Sequence, residues 1–142
     1  MTRPPHHEPR LIALVALGGA IGTTARWALT SAVGTTSSRW PTATLIENVV
    51  GSFLLGALLE ALLRRGAESS RGRLVRLGVG TGVLGGFTTF SSLAIEMERL
   101  LAAGQVTLGL LYGAVSVLLG VLACVAGIAL AARHAPRRPD AA

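Results

Sequence analysis

Four apolar runs, each as long as a bilayer is thick, leave this chain almost no room for a water-soluble core. They read Leu11–Val33, Thr42–Leu63, Leu77–Leu101 and Val106–Ala132. One helical crossing of the hydrocarbon needs about 20 predominantly apolar residues. Lipid cannot satisfy an open sheet edge and no barrel-like alternation is present, so the spans are helices. The expected fold class is all-α: a single four-transmembrane-helix domain over residues 11–132. Polar, proline-bearing tails at 1–10 and 133–142 are expected to be disordered. Composition agrees, because only 14% of the chain is charged where a soluble domain carries about a quarter. The first run is longer than a signal-peptide core and has no clear small-x-small cleavage site, so it is expected to stay as a span.

The charges then set the topology. Lysine is absent and every basic side chain is an arginine. A net charge of +6 would suit nucleic acid, but these arginines stand at helix ends and in short loops, where membrane topology accounts for them. With four spans, the N-terminus, the second loop and the C-terminus share one side. That side holds Arg3, Arg10, Arg64, Arg65, Arg71, Arg73, Arg76, Arg133, Arg137 and Arg138, against Arg39 and Arg99 on the other. The positive-inside rule places both termini in the cytoplasm. His6, His7 and His134 lie outside the spans, which excludes an intramembrane haem anchor. The lone Cys124 offers neither a disulfide framework nor a thiolate metal site. No nucleophile–base pair or cluster of paired carboxylates occurs, so an enzyme is not expected.

Polar groups inside a bilayer are costly and mark a pathway or a pairing. Arg26 comes late in the first span, either snorkelling to the headgroups or attracting anions at a pore mouth. The second span carries Glu47 and Asn48 near its start, followed by Gly51, Ser52 and Gly56. Asn48 has two readings: gluing helices together or offering amide N–H groups to an anion. The third span contains Gly85-Gly86-Phe87-Thr88-Thr89-Phe90-Ser91-Ser92 and then Glu96. Glycine, threonine and serine at the midplane are poor material for an unbroken helix, and a discontinuous span frees backbone groups to bind ions. The competing reading is close packing, since Gly82 and Gly86 form a small-xxx-small pair. Gly80-Thr-Gly82-Val-Leu-Gly85 also satisfies the dinucleotide-binding glycine pattern, but that fingerprint requires a preceding strand and is rejected here. On the fourth span Tyr112, Ser116 and Gly120 recur every four residues and share a face.

In combination these residues resemble the CrcB/Fluc family of bacterial fluoride channels over nearly the whole chain. The resemblance rests on Gly18-Gly19-Ala-Ile-Gly22 with Arg26, on Thr44-Leu-Ile-Glu-Asn48-Val-Val-Gly51-Ser52, and on the Gly85–Ser91 string with Glu96. It implies an antiparallel dimer of four-helix subunits, each with a broken third helix, enclosing two narrow fluoride pathways. It implies a structural sodium ion at the centre, held by the backbone carbonyls of Gly85 and Thr88. Along the fluoride pathway it implies Asn48, Thr89, Phe90, Ser91, Tyr112 and Ser116, with Arg26 at the entrance and Glu96 nearby. The ring edge of Phe90 would face the anion. Transport would be passive, lowering fluoride in the cytoplasm.

Two positions depart from the family pattern. Leu93 stands where a second phenylalanine is usual, and Glu47 precedes the asparagine where an aliphatic residue is commoner. The ten-to-two arginine bias also argues against insertion in both orientations. The expectation is therefore an obligate pairing with an oppositely oriented paralogue. Two rival readings are a non-conducting structural subunit of such a channel and a small multidrug-resistance-type transporter. The latter lacks its first-span acid and its aromatic box here.

Overall fold

The computed structural model describes residues 8–33, 40–66 and 69–134. Most of the two polar tails lies outside these residues, as do His6, His7, Arg39, Arg137 and Arg138. Among the described residues all regular structure is helical: α1 (Pro9–Val33), α2 (Thr42–Leu63), α3 (Ser70–Val75), a π-helical stretch (Arg76–Leu84), α4 (Gly85–Phe87), α5 (Phe90–Ala102) and α6 (Val106–His134). Four spans are long and apolar enough to cross a membrane: Pro9–Val33, Thr42–Leu63, Ser70–Ala102 and Val106–His134. The chain is a multi-pass membrane protein.

The third span begins well before the apolar run that announces it. Its first turn is polar, and it is held by specific pairings. The Ser69 side chain caps α3 by accepting from the Gly72 amide at 3.0 Å, and Arg73 pairs with Glu8 at the start of α1 at 3.3 Å. The π-helical stretch that follows has no counterpart in the sequence reading. Its three glycines, Gly78, Gly80 and Gly82, are buried, and the stretch packs on α1 and α2. Such π turns recur at functional sites.

Packing here is not driven by apolar burial. Among the described residues the large hydrophobic side chains that are buried are Leu11, Leu84, Leu93 and Tyr112, while leucines and valines along α6 face outward. Lipid is as apolar as leucine, so helices associate through close backbone approach at small residues. α1 lies on the third span and α2 on α6. At the first interface a Cβ on Gly22 would fall on the Val83 carbonyl oxygen and 2.9 Å from the Phe87 nitrogen. One on Gly86 would meet the backbone of Gly19, with its Cα at 3.0 Å. At the second interface a Cβ on Gly127 would strike the Phe53 carbonyl and sit 3.0 Å from the Ala57 nitrogen. The small-xxx-small reading of Gly82 and Gly86 is thus correct alongside the broken helix, because each glycine serves a different neighbour.

Gly19 supplies an internal control, since a Cβ there meets nothing within 4 Å. Gly22→Ala is therefore expected to destabilise the fold by about 1–3 kcal/mol, the usual cost of overpacking, with Gly19→Ala near neutral. Unfolding midpoints in detergent should separate the two, and equal midpoints would refute this packing.

Candidate functional site

The third span is interrupted at Thr88 and Thr89. Thr88 (φ −80, ψ 156) and Thr89 (φ −151, ψ 114) are both extended. Two side chains make the interruption stable. Asn48 on α2 pairs with the backbone of Thr89 on both edges: its amide nitrogen donates to the Thr89 carbonyl at 3.0 Å. Its Oδ1 accepts from the Thr89 N–H at 2.8 Å. The Thr89 hydroxyl caps α5 by accepting from the Ser92 N–H at 3.1 Å, and it contacts the Ser91 and Ser92 hydroxyls at 3.2 and 3.0 Å.

These pairings have a direct consequence for the carbonyls at the break. In a continuous helix the Thr89 and Ser92 amides would donate to the carbonyls of Gly85 and Thr88. Here they are engaged by Asn48 and by the Thr89 hydroxyl. Among the described residues the Gly85 and Thr88 carbonyls therefore have no hydrogen-bond donor. Thr88 itself is anchored, its amide and hydroxyl both donating to the Leu84 carbonyl at 3.0 Å. Its methyl occupies the space left by the missing side chain of Gly51.

A groove of about 420 Å³ runs beside the break, between α2 and α6. Asn48, Gly85, Thr88, Thr89, Phe90 and Ser116 all line it, so six of the positions singled out in the sequence converge. Among the described residues no charged side chain lines it. The Ser116 hydroxyl is buried without a partner among the described residues. Asn48 retains one amide hydrogen beyond its bond to Thr89. Phe90 stands outward, 78% exposed, beside the break. Leu93 is buried and contributes an apolar wall.

The other sequence-predicted residues sit apart from the groove. Ser91 faces outward with its hydroxyl on Thr89. Tyr112 is fully buried, and its hydroxyl donates to Glu96 at 2.6 Å. The other Glu96 oxygen accepts from Thr44 at 2.8 Å, and Trp40 packs edge-on against the Tyr112 ring with centroids 5.5 Å apart. Arg26 lies on α1 one turn before Thr30, in the electrostatic neighbourhood of Glu47. Glu47, only 1% exposed, turns towards α1 and accepts from the Thr30 hydroxyl at 2.6 Å. Both nearby acidic side chains are thus held by hydroxyl donors outside the groove, and Glu47 does not line it.

Sequence reasoning missed Thr30, and it quoted Thr44 and Gly51 without assigning either a structural part. Thr44, Asn48, Gly51, Ser52 and Leu55 follow helical spacing along one face of α2, a signal that would have found Thr44 and Gly51. Thr30 had no comparable signal, because its partner lies on another helix.

Comparison with known proteins bears on this arrangement. The model of the family described as CrcB-like protein, Camphor Resistance (CrcB), matches residues 13–128. The chain is 47% identical over 135 residues to a protein of Leifsonia xyli named fluoride-specific ion channel FluC 2, covering 95% of this chain and 92% of that one. It is 48% identical over 121 residues to the fluoride-specific ion channel FluC of Deinococcus radiodurans, covering 84% and 93%. It is 40% identical over 134 residues to FluC 1 of Mycobacterium tuberculosis, covering 94% and 99%.

Proposed function

The chain belongs to the CrcB family, and from that membership we propose that it is a subunit of a passive, fluoride-selective channel in the bacterial cell membrane. Fluoride leaves the cytoplasm down its electrochemical gradient, which lowers its toxicity. One observation carries this reading: the groove at the helix break is lined by neutral hydrogen-bond donors and apolar walls, with both neighbouring carboxylates tied off outside it. The names of the relatives support fluoride as the ion.

Fluoride is small and strongly hydrated, so a pathway must replace its water shell with fixed donors. The Ser116 hydroxyl and the remaining Asn48 amide hydrogen supply two donors, and the outward ring of Phe90 adds an electropositive edge. These neutral groups stabilise an anion without holding it as a guanidinium would. Tyr112 commits its only proton to Glu96, so its part is to brace α6 against α5 and orient Ser116 one turn on. Arg26 draws anions towards the entrance and balances Glu47.

A sodium ion fits the break. Carbonyl oxygens without donors suit a hard cation, and Gly85 and Thr88 would provide two from this subunit. When bound, the ion would supply the positive charge that lets such carbonyls face one another across an antiparallel dimer. The two subunits would be this chain, termini in the cytoplasm, and an oppositely oriented paralogue. Numbered names such as FluC 1 and FluC 2 among the relatives support a partnership of unlike chains.

The test is fluoride efflux from liposomes followed with a fluoride electrode. The chain co-purified with its paralogue should release fluoride and not chloride, and the chain alone should be silent. Ser116→Ala should slow efflux about ten- to a hundredfold, since a hydrogen bond to a charged group is worth about 1.5–3 kcal/mol. Silence of every combination would sink the channel reading, whereas rapid efflux by the chain alone would overturn only the obligate pairing.

A further inference from the structure

A second cavity, of about 720 Å³, opens at the end of the membrane spans where α2 finishes and α3 begins. One wall is apolar, made by Leu59, Leu62 and Leu63, and the rim carries Arg65, Arg71 and Arg76. Leu63 is 74% exposed at the end of its span, without a protein core to cover it. Among the described residues no carboxylate lines the cavity.

The arginines of this region divide into two sets. Arg64 is spent on Glu60, at 2.6 Å, and Arg73 on Glu8, at 3.3 Å. Arg65 and Arg71 make no ion pair among the described residues, yet both face the same cavity. A guanidinium recognises phosphate through paired N–H donors, and a basic pocket between spanning helices at the membrane surface suits an anionic headgroup. The leucine wall beside it accepts the acyl chains of the same molecule. A free anion would use the rim and leave that wall uncovered.

We propose that this cavity is a binding site for an anionic phospholipid, its phosphate held by Arg65 and Arg71 and its chains laid along Leu59, Leu62 and Leu63. The site lies at the opposite end of α2 from Asn48, and it stands whether or not the groove at the break conducts.

Native mass spectrometry of the purified full chain in detergent, offered equal phosphatidylglycerol and phosphatidylcholine, tests it. The chain should retain phosphatidylglycerol selectively. R65Q/R71Q should lower that preference about thirtyfold, each arginine near an anionic surface being worth roughly fivefold. Arg71→Gln alone should cost about fivefold, and it keeps the test decisive if the double variant does not fold. R10Q/R133Q removes the same charge away from the cavity and should leave the preference unchanged. An equal loss in that control would assign the effect to overall charge and overturn the site. Equal retention of phosphatidylcholine by the unaltered chain would reduce the cavity to an apolar crevice. Displacement of the lipid by millimolar inorganic phosphate would make it a free-anion site, contrary to the proposal.

Discussion

Asn48→Ala is expected to abolish fluoride efflux and to destabilise the chain by several kcal/mol, the largest single effect in the molecule. Among the described residues its side chain alone pairs with both the N–H and the carbonyl of Thr89 across the break. Removing it leaves two backbone groups unpaired at bilayer depth, each costing about 1–3 kcal/mol in protein interiors and more where no water can replace the partner. The relief open to the chain is to let the Thr89 amide return to the Gly85 carbonyl, which moves the third span towards a continuous helix. That change withdraws a carbonyl from the proposed cation site and shifts Phe90 away from the groove. Asn48→Asp discriminates further. A carboxylate still accepts from the Thr89 N–H but no longer donates to its carbonyl, and it adds a charge to a groove that has none. It should fold better than the alanine variant and conduct no better. Efflux near the unaltered rate in Asn48→Ala would show that the asparagine is neither splint nor donor.

The second large effect concerns orientation. Essentially every molecule is expected to insert with the second loop in the cytoplasm, because the arginines stand ten to two across the membrane. Cys124 is half-buried within α6, packed where a Cβ on Gly56 would meet its backbone. Single cysteines added at Arg10 and at Gln105 should therefore label cleanly over that background. An impermeant thiol reagent applied from outside intact cells should modify the Gln105 site and spare the Arg10 site. Replacing Arg64, Arg65, Arg71, Arg73 and Arg76 together by glutamine leaves five against two and should admit a detectable inverted population. Comparable labelling of both sites in the unaltered chain would remove the case for an oppositely oriented partner.

Much of this was legible because lipid makes its demands residue by residue. The lengths of α1, α2 and α6 follow from the thickness of the bilayer, and their ends fall within a few residues of the apolar runs Leu11–Val33, Thr42–Leu63 and Val106–Ala132. The third span was legible only as a sequence unsuited to one regular helix. Its polar opening through Arg76 hid its true start, since the Ser69 cap and the Arg73–Glu8 pair are side-chain events that hydropathy cannot report. The location of the break was also ambiguous. Glycines invite a break as readily as they invite packing, and here Gly82 and Gly86 are used for packing against α1.

The amino-acid sequence by itself determined that this protein lives in a membrane, crosses it four times and carries its positive charge on one side. It also determined which polar residues are worth a bilayer's penalty. Those are properties of single segments measured against a uniform solvent. Only the tertiary structure decided where the third span parts and what each polar residue does there. Asn48 becomes a splint because α2 presents it to both the amide and the carbonyl of Thr89 at the interruption. Glu47 is turned away from the groove because Thr30 on α1 takes it, and Tyr112 is bound to Glu96 rather than open to an ion. Such choices depend on partners far apart in the chain, and the pairing of a buried polar group is settled only when all its neighbours are in place.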